Sequence, residues 1–205
     1  MASPIIVCVL RSGGIYTPEW VQSLAKGLKQ WGGHSLLCLT DMQVPGVPMR
    51  PLQYDWPGWW SKLEVMNLPY EEDVLFLDLD TAVTGPMDEI LETDGLILLR
   101  DFYRPDGLGS GVMRLPYHAR REAWEAWIAD PEGHMAKHGG RGDQAFLETL
   151  WLDKAKRWQG EVPGQIVSYK ADRCADRLPT NARLVCWHGK PKPTECRHDW
   201  MAGWN

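Results

Sequence analysis

The sequence predicts an α/β fold: a mixed sheet flanked by helices, in a single domain over residues 1–205 with an irregular tail from 193 onward. Three observations predict it. Short β-branched apolar runs alternate with amphipathic stretches at helical spacing, the pattern of strands separated by helices. The first 40 residues form a β-α-β unit, whose right-handed crossover lays the second strand parallel to the first. The 205 residues are 44% hydrophobic and 24% charged, enough for one domain to bury its own core without staples.

The elements follow in order. Residues 4–10 (PIIVCVL) read as a buried strand, and residues 11–16 (RSGGIY) as a glycine-containing loop. Thr17 suits an N-cap and Pro18 the first helical position. Val21, Leu24, Ala25, Leu28 and Trp31 then recur at helical spacing, and Gly32-Gly33 ends the helix. A second strand covers 34–39. Residues 42–58 carry four prolines and read as a surface loop. WWSKLEVM at 59–66 reads as a short helix, VLFL at 74–77 as a buried strand, 86–91 as a short helix and 96–100 as a strand. GLGSGVMRL at 107–115 reads as a glycine loop entering a strand, with helices over 116–130 and 142–151. From Val162 the pattern is one of short strands and turns.

Composition excludes several classes. Lys+Arg is 22 against Asp+Glu 27, a net charge of −5, so the broad basic footprint of a nucleic-acid binder is missing and no nucleic-acid partner is expected. No apolar run approaches the ~18 residues a bilayer needs, and no leader is read at the N-terminus. Five scattered cysteines fit reduced thiols in the cytoplasm better than a disulfide framework. Twelve tryptophans stand out. They read either as core or as an aromatic platform for sugar rings or bases.

The strongest chemical signal is Val74-Leu-Phe-Leu-Asp-Leu-Asp80. Carboxylates are costly inside a sheet, so Asp78 and Asp80 mark where the strand emerges. Ligands of open α/β sheets sit outside the carboxyl ends of strands. With an i, i+2 spacing along an extended strand, both acids face one side and can share a hard divalent cation with phosphate oxygens. Such a pair serves a phosphohydrolase, with Asp78 as nucleophile, or a site for a nucleotide-sugar diphosphate. The β-α-β half before the acids suits a nucleotide.

VLFLDLDTAV resembles the DxD element of GT-A glycosyltransferases, and further segments resemble glycosyltransferase family 8. Lys62 in WWSKLEVM stands at a family Arg or Lys position. Gly109-Ser110-Gly111-Val112-Met113 is similar to the family's Asn-x-Gly-Val strand, with Gly109 in the place of Asn. Gly142-Asp143-Gln144-Ala145-Phe146 is similar to its Asp-Gln helix start, and His188-Gly189-Lys190-Pro191-Lys192-Pro193 to its C-terminal His…Gly…Lys-Pro signature.

The resemblance implies a GT-A-like, Rossmann-like fold and a metal-dependent transfer, with retention, from a nucleotide-sugar donor, a UDP-sugar, to an acceptor hydroxyl. It implies Mn²⁺ or Mg²⁺ on Asp78, Asp80 and His188, and a diphosphate on Lys192 or Lys190. Leu10, Arg11 and Tyr16 would lie near base and ribose, with Lys62, Leu79, Ser110, Gly111 and Gly189 completing the donor site. Asp143 and Gln144 would face the donor sugar and the reacting centre.

A lysine clamp and a divalent cation suit the charge that builds on a departing diphosphate. A phosphohydrolase, a sugar nucleotidyltransferase and a non-catalytic sugar-binding module remain alternatives. A zinc site on Cys174, Cys186, His188, Cys196 and His198 lacks the paired knuckle spacing.

Overall fold

A computed structural model describes residues 3–201, 203 and 204; residues 1, 2, 202 and 205 of the expected domain and tail lie outside the described residues. The main sheet has seven strands in the order β3-β2-β1-β4-β7-β6-β8. β1 (Ile5–Leu10) runs parallel to β2 (Leu36–Thr40) and to β4 (Val74–Leu77), and β2 runs parallel to β3 (Met49–Pro51). β7 (Leu108–Leu115) is antiparallel to both β4 and β6 (Ile97–Arg100), and β8 (Lys156–Arg157) closes the far edge beside β6. The predicted mixed sheet is therefore present.

The chain travels outward from β1 to β2 and β3, then returns to the opposite side of β1 as β4. This makes the carboxyl ends of β1 and β4 a topological switch point, the place where such sheets bind ligands.

Helix α1 (Pro18–Gln30) covers one face of the sheet and buries Val21, Leu24 and Leu28 of the predicted stripe together with Trp20, while Ala25 and Trp31 are partly buried. The Thr17 hydroxyl bonds Glu19 rather than capping a helix N–H. α3 (Tyr117–Ala129) and the 3₁₀ helix Gly58–Asn67 share an aromatic core. Trp60 stacks on Trp127 at 5.3 Å, and Trp56 meets Trp127 edge-on at 5.1 Å. These contacts anchor the 3₁₀ segment, which is poor in intrinsic hydrogen-bond geometry and needs such packing to persist over 10 residues.

A second sheet of three strands, in the order β5-β10-β9, grows directly from the acidic segment. β5 (Thr81–Val83) pairs antiparallel with β10 (Leu184–Cys186), Thr81 opposite Cys186. β9 (Ile166–Ser168) lies parallel to β10. One apolar cluster runs from β1 and α1 through to β9 and β10, so both sheets belong to one domain. All five cysteines are free thiols, and all but Cys196 are buried.

Several expectations are corrected. The proline-rich stretch 42–58 contains β3, an edge strand that tolerates Pro51 because an edge need not donate on both sides. Residues 108–115 are strand throughout, with a register shift against β6 between Leu98 and Leu99 where the glycines lie. α4 (Pro131–His138) was not foreseen. It is an exposed helix capped by Asp130, which accepts from Gly133 N at 3.0 Å, and it has no buried residue to create an apolar period. The remaining helices are α2 (Asp88–Glu92), α5 (Gly142–Trp151) and α6 (Trp158–Glu161).

The loop that delivers the chain to β4 is fixed by Arg120 on α3, which is fully buried. Its guanidinium donates to the carbonyls of Leu68 at 2.9 Å, Tyr70 at 2.5 Å and Glu72 at 3.0 Å. Arg120→Met leaves the buried Leu68 carbonyl and two partly buried carbonyls without this partner and should lower unfolding free energy by about 2 kcal/mol or more. Arg121→Met, at an exposed i, i+4 pair with Glu125, should change it by less than about 0.5 kcal/mol. Urea denaturation of the two variants distinguishes them, and equal losses would refute the anchoring role.

Candidate active site

The switch point opens into a cavity of about 970 Å³, at the upper end of the range for small-molecule sites. Its walls come from the loop after β1, the 3₁₀ helix, the segment after β4, β7, the loop after β6, the start of α5 and the end of β10. Of the predicted residues, Arg11, Tyr16, Lys62, Asp78, Leu79, Asp80, Ser110, Gly111, Asp143, Gln144 and His188 all line it.

Lys192 reaches its edge, with Nζ 2.5 Å from Asp80 Oδ2 and 3.1 Å from the Tyr16 hydroxyl. Leu10 is fully buried in the apolar core, and its side chain is not part of the wall. Gly189 and Lys190 are exposed outside the wall.

Asp78, Leu79 and Asp80 do not continue β4. The chain turns there before β5, so the strand argument for a shared face does not apply. Each acid instead holds its own lysine. Lys62 Nζ sits 3.0 Å from Asp78 Oδ1 and 3.1 Å from Asp143 Oδ2. Ser110 completes this network, its hydroxyl 3.2 Å from Lys62 Nζ and donating to Asp143 Oδ2 at 2.7 Å. Gly111 leaves room for it, since a Cβ there would lie 3.3 Å from Asp78 Oδ2; its carbonyl accepts from Asp78 N at 2.8 Å.

One ammonium cannot neutralise two carboxylates. Burial, aided by Asp80 and Asp143 and opposed by Lys62, pushes the Asp78 carboxyl up to about 7. Burial works to lower the Lys62 pKa, but Asp143 and Asp78 outweigh it and hold the ammonium protonated above its ordinary value. Burial and the two acids likewise raise the Tyr16 phenol, whose hydroxyl donates to Asp80 Oδ2 at 3.0 Å.

The β5–β10 pairing brings the tail to the acids. Trp187 N donates to Asp80 O at 3.0 Å, one step beyond the Thr81–Cys186 pair. His188 follows at the cavity wall, where Ser168 Oγ lies 2.7 Å from its Nε2. Burial lowers the His188 pKa and keeps the imidazole neutral, as a metal ligand must be.

By donor chemistry, Asp78, Asp80 and His188 fit a hard or borderline divalent cation. Among the described residues, no group of three His, Cys, Asp or Glu side chains is drawn together closely enough to grip an ion, here or in the tail. At Asp80 the Lys192 ammonium holds the first place.

The sequence reading missed the loop after β6. Asp101 accepts from Tyr103 N at 2.9 Å and Arg104 N at 3.1 Å, folding residues 101–104 into a turn. The Gln144 amide donates to Asp101 Oδ2 at 2.9 Å, tying the turn to α5. Phe102 and Tyr103 thereby lie 4.8 and 5.8 Å from the His188 ring. The only sequence signal was an acid followed by two aromatics, which is too common to select.

No family model and no curated protein matches the chain. Among solved structures it is similar to the glycosyltransferase GlyE of Streptococcus pneumoniae TIGR4, with a TM-score of 0.71 at 16% identity over 98% of this chain and 63% of that one. The chain thus spans a little under two thirds of the length of GlyE.

It is similar also to the galactosyltransferase LgtC in complex with donor and acceptor sugar analogues, with a TM-score of 0.67 at 14% identity, covering 96% of this chain and 91% of that one. Mouse xyloside xylosyltransferase 1 gives a TM-score of 0.57 at 11% identity over 93% and 99%. At these identities the likeness establishes the fold, that of GT-A glycosyltransferases, as the sequence predicted.

The Lys62 bridge has a measurable signature. Lys62→Met strands the buried Asp143 carboxylate and the half-buried Asp78 and should cost about 3 kcal/mol in chemical denaturation. Adding Asp143→Asn should restore more than half of that loss, because Asp78 alone can take a proton. A double-mutant cycle with simply additive costs would mean that the three groups do not act together.

Proposed function

We propose that the chain is a glycosyltransferase that moves a sugar from a nucleoside-diphosphate donor, a UDP-sugar, to an acceptor hydroxyl with retention. The observation that carries this reading is that Asp78, Asp80 and His188 line one cavity at the switch point between β1 and β4, with Lys192 paired to Asp80 at its edge. Carboxylates, an imidazole and a lysine at that place suit a diphosphate and its counter-charge.

Asp78, Asp80 and His188 would hold Mn²⁺ or Mg²⁺, which when bound supplies Lewis-acid stabilisation of the negative charge on the diphosphate. The chain's own residues do the rest. Lys192 lies on a flexible stem against Asp80 and Tyr16, within reach of an entering phosphate. Arg11 and Tyr16, on the loop after β1, flank the place for ribose and base. Lys62 fixes Asp78 and Asp143 in one orientation, so the donor sugar meets a preorganised polar floor.

In the transfer, the bond from the anomeric carbon to the β-phosphate oxygen breaks and the acceptor oxygen bonds to that carbon on the same face. The acceptor proton passes to the departing phosphate oxygen. Gln144 donates its amide to Asp101, which leaves its amide oxygen to orient the acceptor hydroxyl.

Thermal shift with UDP, with and without Mn²⁺, tests the reading. At about 100 times Kd a ligand adds about 2.7 kcal/mol, a rise of roughly 5–10 °C for a chain of this size. The rise should need Mn²⁺ and vanish in Asp78→Ala/Asp80→Ala. A UDP shift that persists in that variant would place the nucleotide elsewhere. Phosphate release from a generic phosphate ester would favour a phosphohydrolase instead.

A further inference from the structure

We infer that Trp59 is the stacking platform of a saccharide acceptor subsite at the mouth of the cavity, so that the acceptor is itself a sugar or glycoside. The inference rests on the transferase reading and names its second substrate.

The first observation is exposure. Every other tryptophan of the twelve is buried or half-buried, whereas Trp59 is 55% exposed. The chain has had ample opportunity to bury its indoles and leaves one open. The second is position. The three most exposed large apolar side chains of the described residues are Ile15, Tyr103 and Trp59, and all three line this one cavity. Random surface exposure would scatter them.

The third observation is how the ring is held. Gly142 has a φ of +61° and no Cβ; a Cβ there would collide with the pyrrole part of the Trp59 indole. The indole therefore lies directly on the backbone that begins α5, one residue before Asp143. In a 3₁₀ helix, residues three apart stand one above the other about 6 Å apart. Trp59 accordingly stands one turn outside Lys62, whose ammonium bridges Asp78 and Asp143.

The ring thus lies against Gly142, open to solvent, and a single turn beyond the residues assigned to the reacting centre. The nucleotide end lies by Tyr16 and Lys192, against Asp80.

The chemistry selects the ligand. A rigid indole face on a cavity wall that also carries polar and charged side chains, Ser61 and Arg141 among them, matches a molecule with an apolar face and a polar rim. A pyranose has that form: its C–H bonds present one face and its hydroxyls the edge.

Ligand-observed saturation-transfer NMR tests the platform. The probes are UDP with Mn²⁺ and, separately, the methyl glycosides of glucose, galactose and N-acetylglucosamine. The proteins are wild type, Trp59→Phe and Trp59→Ala. At least one glycoside should receive saturation on its ring C–H protons from wild type and Trp59→Phe. Its affinity should fall about tenfold in Trp59→Ala, while UDP binds all three alike.

Equal glycoside binding by Trp59→Ala overturns the inference, as does a wild type that binds UDP and none of the glycosides. Loss of UDP from Trp59→Ala would also overturn it, because the ring would then carry the base. Trp59-dependent glycoside binding without any UDP binding would uphold the saccharide platform and defeat the donor reading instead. An unchanged melting temperature for Trp59→Ala, expected of an exposed side chain, secures the comparison.

Discussion

The architecture around the cavity depends on compensating buried acid. Asp78 and Asp80 follow β4 where it leaves the core, and Asp143, at the start of α5, shares Lys62 with Asp78; Asp80 and Asp143 are buried and Asp78 is half-buried, and carboxylates so placed need counter-charges. Lys62 answers two of them and Lys192 the third. The two lysines differ in setting. Lys62 belongs to a buried 3₁₀ helix, pinned by Trp60 on Trp127, and has Phe76 beneath its ammonium at 5.1 Å. Lys192 caps the 3₁₀ turn Pro193–Glu195 and touches the site from its edge. The fixed cation suits a permanent structural charge, and the peripheral one suits a charge that meets a ligand.

Topology explains why residues from both ends of the sequence converge. β1 and β4 are neighbours running the same way, so the loops after them share one opening. β5 begins immediately after Asp80 and recruits β10 by antiparallel pairing, which draws residues 187–192 back across about 100 positions of sequence. β7, antiparallel to β4, presents Ser110 and Gly111 across from the acids. A ligand site built this way is a property of strand register. A one-residue slip of β10 against β5 would shift His188, which follows it, out of its place on the cavity wall.

Much of this was legible. The β-branched runs of β1 and β4 and the α1 stripe have strong periodicity, and the acids after VLFL could only be a strand exit. The convergence of the Lys62, Ser110, Asp143 and His188 segments was read through resemblance, and spacing alone would not have found it. What stayed hidden has physical causes. β3 and β5 are three residues each, too short to show a period of two. α4 has no fully buried residue and rests on the core through Met135 and His134, so it leaves no apolar stripe. Residues 108–115 carry glycines that sequence reading assigns to loops, yet here a Cβ at 111 would crowd Asp78. Lys62 reads as a surface charge on a short helix, and only the acids opposite it make its burial tolerable.

The surplus of tryptophan separates into two uses. Trp56, Trp60, Trp124 and Trp127 form one interlocked cluster between the 3₁₀ helix and α3. Trp20 and Trp204 meet edge-on at 5.1 Å and close the tail onto α1. Trp187 stacks on Tyr169 at 4.7 Å beneath His188. In each case a large rigid ring packs one segment against another, at a low cost in side-chain entropy. Trp59 is adjacent to Trp60, yet the 3₁₀ turn directs it out of that cluster and over Gly142. A chain that spends indoles so freely on rigidity would have gained stability by burying this one as well. That it stands open at the cavity mouth is an argument for a ligand, because only a ligand recovers the apolar area left in water.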